Sequence, residues 1–350
     1  MLKNDCVPLL QLSRGDVVES IHYGAFAIVT RSGELVASQG NPGTLSFPRS
    51  SMKPLQTLAF LERNGDLFYD LTQEEVAIMC ASHSGTDRHI DVIKSMHKKI
   101  GLGESDLLCG THWPIDKKTT AEMRARNELP TAYRHNCSGK HSGMLAHAKM
   151  RGLSLSDYLS SDHPVQKAIL SVVAEMCDLH QEDIQIGVDG CSAPVFALPL
   201  QNFAMAIANI CDPVDLEPER ASACKRITTA MTSSPFFIAG PGRLDTLLME
   251  ALGNSVISKS GAEGYQIIGI MPGAFGQGSP ALGIAIKMSD GDQGQRAVSA
   301  ITIYILKSMG LLAEDKLKLL EPFDLRDLYN WRKIPVGKML PTFTLPKFSW

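Results

Sequence analysis

No stretch of this 350-residue chain approaches the roughly 18–20 consecutive apolar residues that a bilayer-spanning helix needs, so no membrane span is expected. Basic side chains are not in excess either. The formal net charge is −3, which offers no electrostatic footprint for nucleic acid. Met1-Leu2-Lys3-Asn4-Asp5-Cys6 lacks the long apolar core of a secretory leader, and a cytoplasmic location is the expectation. Internal repeats, low-complexity tracts and long linkers are all missing. What remains is a globular composition, 44% hydrophobic and 20% charged, of a length that allows two or three domains or one large α/β body. Eight cysteines are present, but a chain of this size without a secretion signal has no need of disulfide staples. Cys80, Cys177, Cys211 and Cys224 fall in helical, partly apolar patterns and read as buried small hydrophobes. Cys137 and Cys191 differ, because each lies in a glycine-containing loop among polar groups.

The chain opens as sheet. Val17 to Thr30 is rich in β-branched and apolar residues, Arg31-Ser32-Gly33 is a turn, and Glu34 to Ser38 continues as a strand. Thr72-Gln73-Glu74-Glu75 is a capping box opening a helix toward Ser82. Helical periodicity follows over Asp87–Ile100 and in segments near 119–126, 142–150, 154–159, 164–177, 201–211, 216–231 and 243–252. A short strand, Ile184–Val188, ends in the turn Asp189-Gly190. Strands return at Val256–Lys259, Gln266–Ile270 and Ala281–Ile286, and Ala297 to Met309 is a closing helix. The expectation is a single catalytic unit of α+β class, three-layer α/β/α-like. Its mostly antiparallel central sheet is drawn from about 15–45 and 255–310, and its helical region from about 50–250.

Chemistry concentrates in a few places. Ser50 and Lys53 form an S-x-x-K pair at the start of an apolar-periodic run, with Pro54 in the first turn, where its missing N–H is harmless. Three residues is close to one helical turn, so the two side chains would share a face. A lysine whose pKa is lowered by burial or by a second cation can take a serine proton. The bland alternative is a solvated helix lysine, and Ser51 adjoins Ser50 as a rival nucleophile. Downstream, Lys259-Ser260-Gly261 is a near equivalent of the K-T-G strand motif that accompanies S-x-x-K in serine acyl-transfer enzymes. Cys80-Ala81-Ser82-His83-Ser84-Gly85 and Asn136-Cys137-Ser138-Gly139-Lys140-His141-Ser142-Gly143 pack hydroxyl, imidazole, thiol and amine groups into small-residue loops. Ser82 is alternatively a helix-terminal residue bonding its own backbone. His89 and His135 read as structural, and His83 stays open between the two readings.

Together Arg49–Gln56, Cys80–Ser84, Asp87–His89, Asn136–His141, Asp189–Cys191 and Lys259–Gly264 resemble the asparaginase II family, the thermolabile-type bacterial L-asparaginases also known from Rhizobium. The resemblance runs over about residues 15 to 310. It implies hydrolysis of the L-asparagine side-chain amide to L-aspartate and ammonia, a fold related to glutaminases and serine β-lactamases, and a homodimer. It places two serine–lysine pairs on Ser50 with Lys53 and on Ser82 with Lys259. It places a metal site, zinc in some members, on Cys137, Lys140 and Cys191, and substrate-side groups on Arg49, His141 and Asp189. On that basis Ser50 is the expected nucleophile and Lys53 its base, with Ser82 and Lys259 relaying protons. Arg49 suits an α-carboxylate through its bidentate fork, and Asp189 suits an α-ammonium. Soft thiolate ligands favour zinc, though lysine is an unusual ligand that must lose its proton to bind. Without a metal, Cys137 and Cys191 would be two reduced buried thiols. A glutaminase or another serine amidohydrolase of the β-lactamase fold is the alternative, the absence of an S-D-N motif standing against a β-lactamase. A non-catalytic amino-acid or metal-binding protein is the rival from a different class.

Overall fold

A computed structural model describes residues 5–348. The chain divides into two compact units. A sheet unit runs to Pro48, takes in Leu198–Asp212 and resumes at Ser260, while a helical unit comprises Arg49–Ala197 and Pro213–Lys259.

Among the described residues the strands are β1 (Val7–Arg14), β2 (Val17–Thr30), β3 (Leu35–Gln39), β4 (Leu45–Ser46), β5 (Gln185–Val188), β6 (Pro194–Pro199), β7 (Val256–Gly261), β8 (Tyr265–Ile270), β9 (Leu282–Met288), β10 (Asp327–Tyr329) and β11 (Pro335–Pro341). The large sheet has the order β10-β11-β1-β2-β9-β8-β7, with β3 also beside β2. Its pairs from β10 to β8, and β2 with β3, run antiparallel. Every residue of β8 and β9 is buried, as strands covered on both faces must be. The helices Leu200–Cys211 and Arg296–Ser308 supply that cover. Gly283 on β9 admits the first of them closely: a Cβ there would meet the Ala204 carbonyl oxygen at 1.8 Å. The class is therefore α+β. Two parts of the sheet lie outside the expected 15–45 and 255–310, namely β1 and the hairpin β10–β11. Both β1 and β11 carry proline, and their buried, half-buried and exposed residues do not alternate regularly, which leaves little pattern to read.

In the helical unit the helix Ser138–Met150 is buried along Ser138–Ala148, and the helices Lys53–Leu61, Gln73–Met79 and Asp87–Ile100 pack around it. The helix Gln73–Met79 has the expected capping box: Thr72 Oγ1 accepts from Glu75 N–H at 3.3 Å, and the Glu75 carboxylate accepts from Thr72 N–H at 2.8 Å. The central helix begins at Ser138, not near 142, which moves Ser138, Lys140 and His141 from a loop onto a buried helix. The expected helix at 154–159 is absent. Ser154 Oγ accepts from Ser156 N–H at 3.3 Å, and such local side-chain bonds compete with the helical ladder. Among the described residues no helix is long and apolar enough to cross a membrane.

Candidate active site

Every candidate side chain falls in the helical unit. Arg49–Met52 form a 3₁₀ turn that feeds the helix Lys53–Leu61, with Pro54 in its first turn. A 3₁₀ turn has three residues per turn, so positions 50 and 53 lie toward the same side. Ser51 Oγ donates to the Lys259 carbonyl at 2.9 Å and is fully buried. That bond ties Ser51 to β7. Ser50 is half-buried, and its hydroxyl makes no hydrogen bond among the described residues. Lys53 is 1% exposed. Its Nζ donates to Ala81 O at 2.5 Å, Ser82 Oγ at 2.9 Å and Asn136 O at 3.4 Å, three acceptors for the three protons of an ammonium. The serine–lysine hydrogen bond formed here therefore joins Lys53 to Ser82.

Ser82 leads the loop after the helix Gln73–Met79. Its backbone N–H donates to Ile238 O at 2.9 Å, and its carbonyl accepts from Arg243 Nη1 at 2.7 Å. Arg243 is deeply buried, which lowers its pKa. His83 accepts from Gly85 N–H at Nδ1, so the proton sits on Nε2 and points at Ser138 Oγ, 2.9 Å away. Burial, with the neighbouring imidazoles and the Lys53 charge adding to it, drives the His83 pKa far below its usual value. This imidazole joins the loop to the start of the central helix. His89 is similarly occupied, accepting from Thr86 N–H at 3.3 Å and meeting Phe236 O at 3.2 Å.

On β7, Lys259 is fully buried, with Nζ 3.8 Å from Asp245 Oδ2. Burial pulls its pKa down to about 7; Asp245 opposes the drop, while Lys53 and Arg243 add to it. At the other end of the group, Arg49 Nε and Nη2 both reach Asp189 Oδ1, at 2.8 and 2.7 Å, and Gly190 N–H donates to the same oxygen at 2.7 Å. Arg49 sits at φ +52, a left-handed conformation that a non-glycine residue rarely adopts. Burial would raise the Asp189 carboxyl, but Lys140 and Arg49 hold it below its usual value.

Cys137, Lys140, His141 and Cys191 form a third group. Lys140 Nζ donates to Cys191 Sγ at 3.0 Å. A hydrogen bond from Cys191, helped by the charges of Lys53 and Lys140, holds the Cys137 thiol well below its usual pKa despite burial. Burial would lower the Lys140 ammonium, but the Cys191 and Cys137 sulfurs raise it above the usual lysine range. Tyr158 accepts from Leu108 N–H at 3.0 Å and donates to His141 Nδ1 at 2.6 Å. The His141 proton is then on Nε2, which is buried and turned to the Cys191 sulfur without closing a hydrogen bond.

Residues 10–341, nearly the whole chain, match the family described as L-asparaginase II. The chain belongs to the L-asparaginase II family. As a member of that family it is an amidohydrolase. Several solved structures overlap it at low identity. A probable glutaminase from Bacillus subtilis, complexed with 6-diazo-5-oxo-L-norleucine, shares 10% identity over 82% of this chain and 84% of its own, with a TM-score of 0.38. A Bacillus glutaminase shares 11% over 82% and 91%, with a TM-score of 0.39. Mglu in its native form shares 12% over 84% of this chain and only 66% of its own length, with a TM-score of 0.42. No curated protein matches.

Arg243 and Asp245 of this L-asparaginase II family member escape a reading of the sequence. Asp245 stands in the first turn of an apolar helix, where an acidic residue reads simply as a partner for the helix dipole. Arg243 follows Gly240-Pro241-Gly242 at the start of the expected helix 243–252, where nothing in the local pattern marks it for burial. Only tertiary packing brings them to Ser82 and Lys259. As for a metal, no three His, Cys, Asp or Glu side chains gather closely enough to hold one among the described residues. The donor set fits a soft ion only when the Lys140 amine is counted with the two sulfurs, and the orphaned His141 Nε2 faces the same sulfur.

Proposed function

We propose that this protein is an L-asparaginase, hydrolysing the side-chain amide of L-asparagine to L-aspartate and ammonia by acyl transfer through Ser50. The observation that carries the reading is a buried lysine, Lys53, bonded to the Ser82 hydroxyl, with a second buried lysine, Lys259, whose pKa is pulled down to about 7, in a chain of the L-asparaginase II family. Ser51 is occupied by its bond to β7, which leaves Ser50 as the free hydroxyl at the helix start.

Ser50 Oγ attacks the amide carbon as its proton passes to the Lys53 amine. Backbone N–H groups at the start of the helix Lys53–Leu61 stabilise the oxyanion. The carbon–nitrogen bond breaks with a proton delivered to nitrogen, which releases ammonia and leaves an ester on Ser50. Water then attacks the ester, gives its proton to the same amine, and aspartate departs. Lys53 as found carries a full set of donors, so it must first hand one proton on. Ser82 Oγ, 2.9 Å away, is the acceptor in place for that, and Lys259 is the base near neutrality that takes it up. Arg49 binds the α-carboxylate and Asp189 the α-ammonium, each exchanging its present partner for the substrate. Zinc, when bound, would be held by Cys137, Lys140 and Cys191 and would supply a positive charge that orients substrate.

Ammonia release from L-asparagine, with L-glutamine in parallel, tests the reading. The two substrates differ by one methylene, worth only about 1–3 kcal/mol in discrimination. Release from asparagine that exceeds release from glutamine, and is abolished in Ser50→Ala while Ser51→Ala stays folded, is expected. Preference for glutamine, or full activity in Ser50→Ala, would overturn it.

A further inference from the structure

Lys259 and Asp245 form a buried ion pair. Asp245 is 1% exposed in the first turn of Leu244–Leu252, an otherwise largely apolar helix. A carboxylate at an exposed position of the same turn would serve the helix dipole equally well without desolvation. Burying one is unfavourable unless it is paired and hydrogen-bonded. Here both conditions hold, and both partners lie on β7: Oδ2 is 3.8 Å from Lys259 Nζ, and Oδ1 accepts from Ser258 Oγ at 2.8 Å. Ser258 thus fixes the carboxylate from the residue next to the lysine.

The groups whose charges act on Lys259 include the Asp245 carboxylate, the Lys53 ammonium, the Arg243 guanidinium and the Cys137 thiol. The Cys80 thiol also lies within its field and is itself pushed up to about 12 by burial. Two of these neighbours are cations that repel a charge on Lys259, and Asp245 is the carboxylate that supports one.

We propose that Asp245 is a positioning residue for the amidohydrolase reaction: it holds the Lys259 amine in place and keeps that buried amine able to carry a proton. This rests on the reading of Lys259 as the proton-relay lysine. A relay must both take and return a proton at the working pH, which requires a group balanced near neutrality. Burial and the two cations alone would carry Lys259 below that balance, and Asp245 opposes them. Without the carboxylate the amine stays neutral and has no proton to give to departing ammonia.

The test is the pH dependence of Asp245→Asn against wild type, Asp245→Glu and Ser258→Ala. In Asp245→Asn the acidic limb of kcat/KM should move to lower pH by about one unit or more, and kcat should fall about tenfold, with KM little changed. Asp245→Glu should recover part of both effects. A second readout is independent of activity: the titration midpoint of Lys259 in protein labelled with [ε-13C]lysine, its resonance assigned by its loss in Lys259→Met. That midpoint should drop in Asp245→Asn, and drop less in Ser258→Ala. A folded Asp245→Asn with the wild-type midpoint overturns the inference. If Asp245→Asn does not fold, an unmoved midpoint in Ser258→Ala does so instead. Should the wild type release ammonia from neither amide, the functional reading falls, while the Lys259 midpoint still decides whether Asp245 controls this amine.

Discussion

Arg49 is held in a backbone conformation that its side chain does not favour, and it aims both Nε and Nη2 at one oxygen of Asp189. Left-handed φ at a non-glycine residue persists only where its surroundings over-determine it, and such positions cluster at functional sites. Under the proposed function the pair stands in for what an α-amino acid would bring, since a free carboxylate suits Arg49 and a free ammonium suits Asp189. The guanidinium fork matters more than its charge, because lysine cannot make two parallel bonds. Arg49→Lys should therefore raise KM for asparagine about tenfold, roughly 1.4 kcal/mol of recognition, with kcat nearly unchanged. Steady-state kinetics decides. A loss confined to kcat would remove Arg49 from carboxylate recognition and put its role in the chemistry.

The elements that present the site depend on one very close helix crossing. At Gly139 a Cβ would lie 2.1 Å from the Ile78 carbonyl oxygen, so the helices Ser138–Met150 and Gln73–Met79 meet backbone to backbone. This crossing sets Ser138 next to the loop that carries Ser82, where His83 reaches it at 2.9 Å. Helix propensity alone predicts that Gly139→Ala gains about 1 kcal/mol. The contact reverses the sign: a carbonyl cannot rotate away as a side chain can, and overpacking of this kind costs about 1–3 kcal/mol or more. At Gly143, one turn on, the near atom is Met79 Sδ at 2.8 Å, the end of a flexible side chain, so Gly143→Ala should be close to neutral. Denaturant melts of the two variants check this, and equal stability would mean the crossing relaxes. Long periodic elements such as Val17–Thr30 and Asp87–Ile100 are legible in the sequence to the residue, because each has enough turns or alternations to define a face. The hairpin β10–β11 is not, since short, half-exposed strands define none. The same limit applies within the site. Ser50 with Lys53 is visible because three residues make one turn. The Lys53–Ser82 bond, the meeting of Cys191 with Lys140, and the burial of Asp245 against Lys259 join positions far apart in the chain, and no local spacing encodes them.

At the scale of the molecule, the chain crosses between its two units after Pro48, Ala197, Asp212 and Lys259, and the candidate site residues all lie in the helical one. In the helical unit burial is the first cause that lowers six histidines: His83 far below its usual value, His89, His97, His135 and His141 to about 4, and His147 to about 3. They are neutral in the fold, whereas in the unfolded chain each takes a proton near pH 6.5. Below that pH the unfolded state binds protons that the folded state refuses, so stability falls as pH drops from about 6.5 through 4, by up to about 1.4 kcal/mol per unit for each such histidine. Lys259 contributes the same sign higher up: between its folded value of about 7 and the 10.5 of a free lysine, the unfolded chain again holds the extra proton. The midpoint of thermal unfolding should therefore rise gently from pH 7 to 9 and fall steeply from 6.5 to 4. Hydrogen exchange at pH 5 should open the amides of Ser138–Met150 before those of β8 and β9, because the acid-sensitive groups pack around that helix. A melting temperature that holds from pH 7 down to 4.5 would mean that these imidazoles are hydrated and protonated within the fold. In that case the bond from Gly85 N–H to His83 Nδ1, which needs a neutral ring accepting there, would have to be abandoned along with the alignment it gives to the Ser82 loop.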